Sequence, residues 1–316
     1  MNKSIYAAIG EKFKIAQEIL IVTHLRPDGD AIGSLLGLGL SLQKVGKSVQ
    51  MVSIDGVPAS FRHLSGSDKI SKQGIGNFDL VVVVDCSDLD RVGDALNGFG
   101  PPQINIDHHI TNLRFAGLNL VETEAAATAE IIAQGLSIWG LPLSVEISDA
   151  LLTGLLADTI GFRTSSVNGR VLRIAAELVD TGSNLSNLYR HTLLQKSINA
   201  VRYWGAGLVN LKFEKGIVWT TLTLEDRKAA EYPGRDDADL INLLSYLNDV
   251  EVAIILIEQS ENAVKVSWRA QNGKDVSRVA EQFGGGGHRA AAGAEIVGSL
   301  SDVQVRVLNA TRELIV

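Results

Sequence analysis

Four apolar runs of strand length, EILIVTH (18–24), SVQMVSID (48–55), DLVVVVDCS (79–87) and INIDHH (104–109), alternate with longer stretches of helical period such as 31–45. That alternation predicts a parallel α/β sheet. The first, third and fourth of these runs carry acidic or imidazole side chains at or near their ends. In open α/β sheets ligands bind in the crevice outside the carboxyl ends of the strands. His24, Asp85 and the pair His108/His109 are therefore expected to converge.

A chain of 316 residues divides most naturally into two domains, and 46% hydrophobic residues suffice to give each a core. Helices are expected at about 125–139, 145–157 and 168–181, with Gly182 in DTGSN as a C-terminal stop. From about Leu211 the texture changes to long β-rich runs joined by short polar turns, which suggests a mixed or antiparallel sheet. The expected organisation is α/β throughout: an N-terminal parallel-sheet domain over 1–185, a mostly helical connector over 186–205 and a smaller mixed-sheet domain over 206–316. A ligand is expected in the cleft between the domains.

The formal net charge of -7 and pI near 5.4 leave no overall basic field to hold a long polyanion by counterion release. A long nucleic-acid duplex is excluded as a partner, and any basic site must be local. The single cysteine, Cys86, precludes an intrachain disulfide and lies in an apolar run, where a buried, inert thiol in a reducing cytoplasm is expected. The first residues lack the unbroken apolar core of a signal peptide, and the most apolar long stretch, 125–145, is interrupted by Glu130 and Gln134. Neither export nor membrane insertion is expected.

The stretch HLRPDGDAIGS (24–34) sets one imidazole and two carboxylates within seven residues at the mouth of a helix. Pro27 and Gly29 fix a turn that lets His24, Asp28 and Asp30 point to one side; a plain turn with a capping Asp accounts for the same residues. The other strand ends change the balance. Asp85 ends one buried strand and Asp107, His108 and His109 end another, and polar groups so placed need partners. Asp158 follows the apolar stretch ALLTGLLA, where a carboxylate must cap, pair or coordinate. Together the set could ligate two divalent ions about 3.5–4 Å apart, an arrangement that activates a water and offsets charge developing on a phosphoryl group. Mixed imidazole and carboxylate donors suit manganese better than magnesium.

These blocks, in this order, resemble the motifs of the DHH phosphoesterase superfamily, named for a triplet matched by Asp107–His109, and VSWRAQNGKDVSRVAEQFGGGGHRAAAG (266–293) resembles its DHH-associated domain. The likeness covers nearly the whole chain. Its two-domain length is similar to the NrnA-type subgroup, which degrades very short oligoribonucleotides and dephosphorylates 3'-phosphoadenosine 5'-phosphate (pAp), and to relatives that cleave cyclic di-AMP or linear pApA; RecJ nucleases are longer relatives. The resemblance implies that His24 and Asp28 bind one ion, that Asp30, His108 and Asp158 bind the other, and that Asp85 bridges them. It also implies that Asp107 orients an imidazole and that His109 lies near the phosphate.

In the second domain, Gly284–Gly287 allow backbone N–H groups to approach a phosphate or base before His288 presents its ring, although such a run is also an ordinary flexible turn. Arg269, with His288, Arg289, Lys274 and Arg278, makes the only basic concentration in sight; Lys274 and Arg278 also read as a solvated face. Arg269, Gly285, Gly286, Gly287 and His288 are the expected substrate contacts. Trp268, its side chain on the opposite face of the strand from Arg269, is expected in the core. His63 and His191 match no motif.

The expected function is a manganese-dependent phosphoesterase acting on short RNA or nucleotides by two-metal activation of water. Alternatives are a cyclic-di-AMP phosphodiesterase, an inorganic pyrophosphatase or polyphosphatase, and a non-catalytic nucleotide sensor. A homodimer is left open.

Overall fold

The computed structural model describes residues 3–271 and 273–315. The chain forms two compact units, the first ending at Gln195 and the second beginning at Lys196.

The first unit runs α1 (Lys3–Ile15), β1 (Glu18–Val22), α2 (Gly29–Lys44), β2 (Ser48–Val52), β3 (Leu80–Val84), β4 (Ile104–Asp107), β5 (Leu118–Val121), α3 (Thr128–Trp139), α4 (Val145–Asp158), α5 (Gly169–Asp180) and α6 (Leu185–Tyr189). Its five strands are all parallel, in the order β2-β1-β3-β4-β5. The unbroken apolar runs of β1 and β3 have a simple cause, since both faces of the sheet are covered. Ile19, Ile21, Val82 and Val84 pack into a large core with Leu35, Leu36, Leu151 and Leu155 of α2 and α4. Leu20, Val22, Val81 and Val83 face the other way, against Val92 and Ala95. Cys86 belongs to that second core, fully buried, and burial pushes its thiol up to about 12.

Helices α2 and α4 approach until backbone meets backbone: a Cβ on Gly33 would lie 2.4 Å from the Ala150 carbonyl oxygen. The helix expected from 125 begins three residues later. Ala127 is extended, and the Glu130 carboxylate in the first turn accepts the Ala126 N–H at 2.7 Å, so the residues just before the helix are tied back to it in a non-helical path.

The second unit contains α7 (Ile198–Val209), β6 (Lys212–Glu214), β7 (Ile217–Leu222), α8 (Leu224–Ala229), α9 (Leu240–Leu244), β8 (Val252–Ser260), β9 (Ala263–Ala270), α10 (Ser277–Gln282), β10 (Gly286–His288), β11 (Ala291–Val297) and α11 (Leu300–Arg312). Its sheet, ordered β10-β11-β9-β8-β7-β6, is mixed: β7 and β8 are parallel and the other pairs antiparallel. Trp268 is fully buried, and its indole N–H donates to Thr311 Oγ1 of α11 at 3.1 Å. Among the described residues, no helix is long and apolar enough to cross a membrane.

Candidate active site

The strand order reverses between β1 and β3, because β2 lies on one side of β1 and everything later on the other. Such a switch point opens a crevice at the carboxyl ends of the strands. The loops leaving β1, β3 and β4 supply His24, Asp85 and the pair His108/His109 to that edge. Asp85 adopts φ 54°, a left-handed conformation uncommon for a residue with a Cβ. Backbone strain of this kind concentrates at functional sites.

The turn after β1 feeds directly into α2. Asp28 is the capping residue, its Oδ1 accepting the backbone N–H groups of Asp30 and Ala31 at 3.0 Å each, while its Oδ2 lies 4.0 Å from His24 Nε2. Capping and a ligand position are therefore compatible in one side chain, with one oxygen for each. Asp30, in the first turn of α2, is fully buried, and Asp158 is the last residue of α4.

Asp85 stands between two sets of donors. Its Oδ2 is 3.4 Å from His24 Nε2, and its Oδ1 is 3.9 Å from His108 Nε2 and 3.8 Å from His109 Nδ1. His108 Nε2 lies 3.1 Å from Asp158 Oδ2 and 4.0 Å from Asp30 Oδ2. Within these contacts His24, Asp28 and Asp85 form one group able to hold a metal ion, Asp30, His108 and Asp158 a second, and Asp85, His108 and His109 a third that overlaps both.

The electrostatics suit a cation. Burial, then the charges of Asp85 and Asp158, hold the Asp30 carboxyl well above the usual carboxylate range. Burial also disfavours the charged form of His108, but the bond to Asp158 and the surrounding carboxylates outweigh it and raise the ring. Asp85 is opposed by burial in the same way, yet the bond from His24 and the three nearby imidazoles keep it far below the usual range. A cluster of buried carboxylates that must otherwise borrow protons is a donor set that fits divalent ions.

Each imidazole is turned by a partner on Nδ1. The Leu25 carbonyl accepts from His24 at 2.8 Å and the Ala125 carbonyl from His108 at 3.3 Å, so both rings aim Nε2 at the carboxylates. Asp107, fully buried, accepts from His109 Nδ1 at 2.7 Å and from the Asn112 side-chain amide at 2.6 Å. Three residues that the motifs did not single out complete the surroundings. Thr128 Oγ1 donates to Asp85 Oδ1 at 2.9 Å, Ser34 Oγ donates to Asp30 Oδ1 at 3.2 Å, and Asn112 bridges Asp107 to Asn105. The one sequence signal for Thr128 is a hydroxyl beside Glu130 in an otherwise apolar AAATAEII.

In the second unit, register aligns His288 with Ala291 and Ala291 with Arg269, so both side chains flank one methyl on the same sheet face. Burial lowers the pKa of Arg269, against the opposing charges of Asp237 and Asp239. The basic concentration is largely neutralised: Lys274 pairs with Glu251 at 3.3 Å, and Arg278 and Arg289 both meet Asp275 at 3.6 Å. The glycines divide by purpose. Gly285 and Gly287 lie so close to β11 that a Cβ would meet the Gly293 or Ala291 carbonyl oxygen at 2.2 and 2.4 Å, whereas Gly284 and Gly286 face open space. His63 and His191 stack on each other, ring centroids 4.4 Å apart.

Residues 18–155 match the DHH family, N-terminal domain, and residues 229–315 match the DHHA1 domain. The chain is 36% identical to the bifunctional oligoribonuclease and PAP phosphatase NrnA of Thermus thermophilus, over 96% of this chain and 94% of that protein. It is 24% identical to the protein of the same name from Bacillus subtilis, over 88% and 89%. The solved structure of an exopolyphosphatase-related protein from Bacteroides fragilis superimposes with a TM-score of 0.91 at 26% identity, covering 98% of this chain and 96% of that one. Fold, site and likeness together define a hydrolase acting on phosphoester bonds. The chain belongs to the DHH family, as an NrnA-type DHH phosphoesterase.

Proposed function

We propose that this enzyme hydrolyses short oligoribonucleotides, pApA and pAp with two divalent ions, of which manganese suits the donors best. The observation that carries the reading is the division of Asp85, one oxygen toward His24 and the other toward His108, which is the geometry of a bridging carboxylate. His24 and Asp28 would complete one ion's set and Asp30, His108 and Asp158 the other's. When bound, such ions lower the pKa of a water and offset charge on the phosphoryl group.

The chain's own groups do the rest. Asp107 fixes the proton of His109 on Nδ1. Burial disfavours the imidazolium of His109, but the bond to Asp107 and the charge of Asp85 outweigh it and raise its pKa. A ring held in this way would donate to a phosphate oxygen whenever it carries its second proton. Arg269 and His288, with the backbone of Gly285, Gly286 and Gly287, are the second unit's candidates for contacting the substrate. The names carried by relatives over nearly the full length support nucleotide substrates.

The test is a panel of a short RNA, pApA, pAp, cyclic di-AMP and pyrophosphate, assayed with manganese and after exhaustive chelation. Turnover of the first three with manganese, and loss of it on chelation, is expected. Substantial turnover in the chelated enzyme, or preference for pyrophosphate, overturns the reading.

A further inference from the structure

Three proposed ligands come from three separate places in the fold: Asp30 from α2, Asp85 from the end of β3 and His108 from the end of β4. One short segment, residues 125–130, touches all three. The Ala125 carbonyl accepts from His108 Nδ1, Thr128 Oγ1 donates to Asp85 Oδ1, and the backbone N–H groups of Thr128 and Ala129 donate to Asp30 Oδ2 and Oδ1 at 2.6 and 2.9 Å. Asp30 thereby sits at the N-terminus of α3, where the helix dipole favours an anion.

The segment is itself tied down. Glu130 is fully buried, with one oxygen accepting the Ala126 N–H and the other accepting from Arg170 Nε of α5 at 2.5 Å. The Arg170 guanidinium also donates to the Glu124 carbonyl at 3.3 Å. A buried carboxylate held by a guanidinium and a backbone donor is costly to disturb, since removing either partner strands a charge.

We propose that segment 125–130, clamped by the Glu130–Arg170 pair, is the positioning element of the metal centre, and that Thr128 is the positioning residue that orients Asp85. The inference rests on the two-ion reading. The hydroxyl occupies one lone pair of Asp85 Oδ1 and so limits the direction in which that oxygen can bind, on the side it shares with His108. Partners of this kind change metal affinity without touching the ion.

The experiment titrates manganese into metal-free wild type, Thr128→Val, Thr128→Ala and Thr128→Ser, reading stoichiometry and affinity by calorimetry and fold by circular dichroism. Wild type should take up two ions. The Val variant, which keeps the shape and loses the donor, should hold one of them about 10–100-fold more weakly, and the Ser variant should recover most of that loss. The Ala variant answers the same question should Val not fold. Two ions bound with wild-type affinity by Val or Ala, or equal weakening in Val and Ser, overturns the positioning role while leaving the two-ion reading intact. Failure of wild type to bind manganese removes both.

Discussion

Asp85 is 1% exposed, left-handed in backbone and faced by three imidazoles, and its two oxygens divide between the two proposed donor sets. Asp85→Ala should therefore lower kcat more than loss of any other single proposed ligand. A drop of about 100–1000-fold, the scale on which single preorganised electrostatic groups register, is expected in steady-state assays of a variant shown to be folded. The same cluster sets a pH dependence. The raised pKa values of His108 and Asp30 mean that the metal-free stability tied to their protons is lost as pH rises through those folded values. The depressed Asp85 works oppositely: its contribution is present above its unfolded value of about 3.9 and is lost only as pH falls through the folded one. Metal-free protein should thus lose stability on the alkaline side. Manganese, which displaces the protons, should bind more tightly from about pH 6 to about pH 8. Thermal melts with and without manganese at the two pH values check both directions; an ion-induced stabilisation that shrinks as pH rises contradicts the assignment.

Between helices, the controlling contact is the glycine crossing of α2 and α4. Gly33→Ala puts a methyl 2.4 Å from the Ala150 carbonyl and 2.8 Å from the Gly154 amide, both backbone atoms that cannot swing aside. The expected cost is about 1–3 kcal/mol, as for other overpacked interiors. Gly205, in α7, offers the contrast: nothing lies within 4 Å of its would-be Cβ. Gly205→Ala should stabilise by about 0.5–1 kcal/mol through helix propensity alone. Denaturant melts of the pair read both signs, and a Gly33→Ala variant as stable as wild type refutes the crossing. Helix positions themselves were legible from periodicity, as α4 and α5 illustrate. The start of α3 was not: Ala127 is extended, and the residues before it are held by Glu130, itself paired with Arg170 forty positions away, which periodicity does not report.

Taken over the full chain, charge argues for short substrates. Acidic residues number 36 against 29 basic ones, and the cations of the second unit near His288 are mostly paired with Asp275 and Glu251. A long strand needs many phosphate contacts along a positive groove, each of which steepens the salt dependence. Initial rates on a dinucleotide should exceed those on an RNA of roughly 24 nucleotides, longer than a typical single-strand site, and rates on the dinucleotide should change little with salt. Equal or faster cleavage of the long strand contradicts this.

What amino-acid order alone could mark out was a set of candidate residues for the chemistry. His24, Asp85 and His108 end or follow apolar runs where polar groups need partners, and that cost is visible without coordinates. The strand order, and with it the switch point that brings those ends to one edge, came only with folding, since parallel neighbours are joined through crossovers that carry no mark of which strand they reach. The division of Asp85 between two donor sets is likewise a matter of assembled geometry. So is the role of Thr128, whose partners Asp85 and Asp30 lie 43 and 98 positions away. Local periodicity reports a side chain's face of its own helix or strand; it holds no information about which distant carboxylate that face will meet.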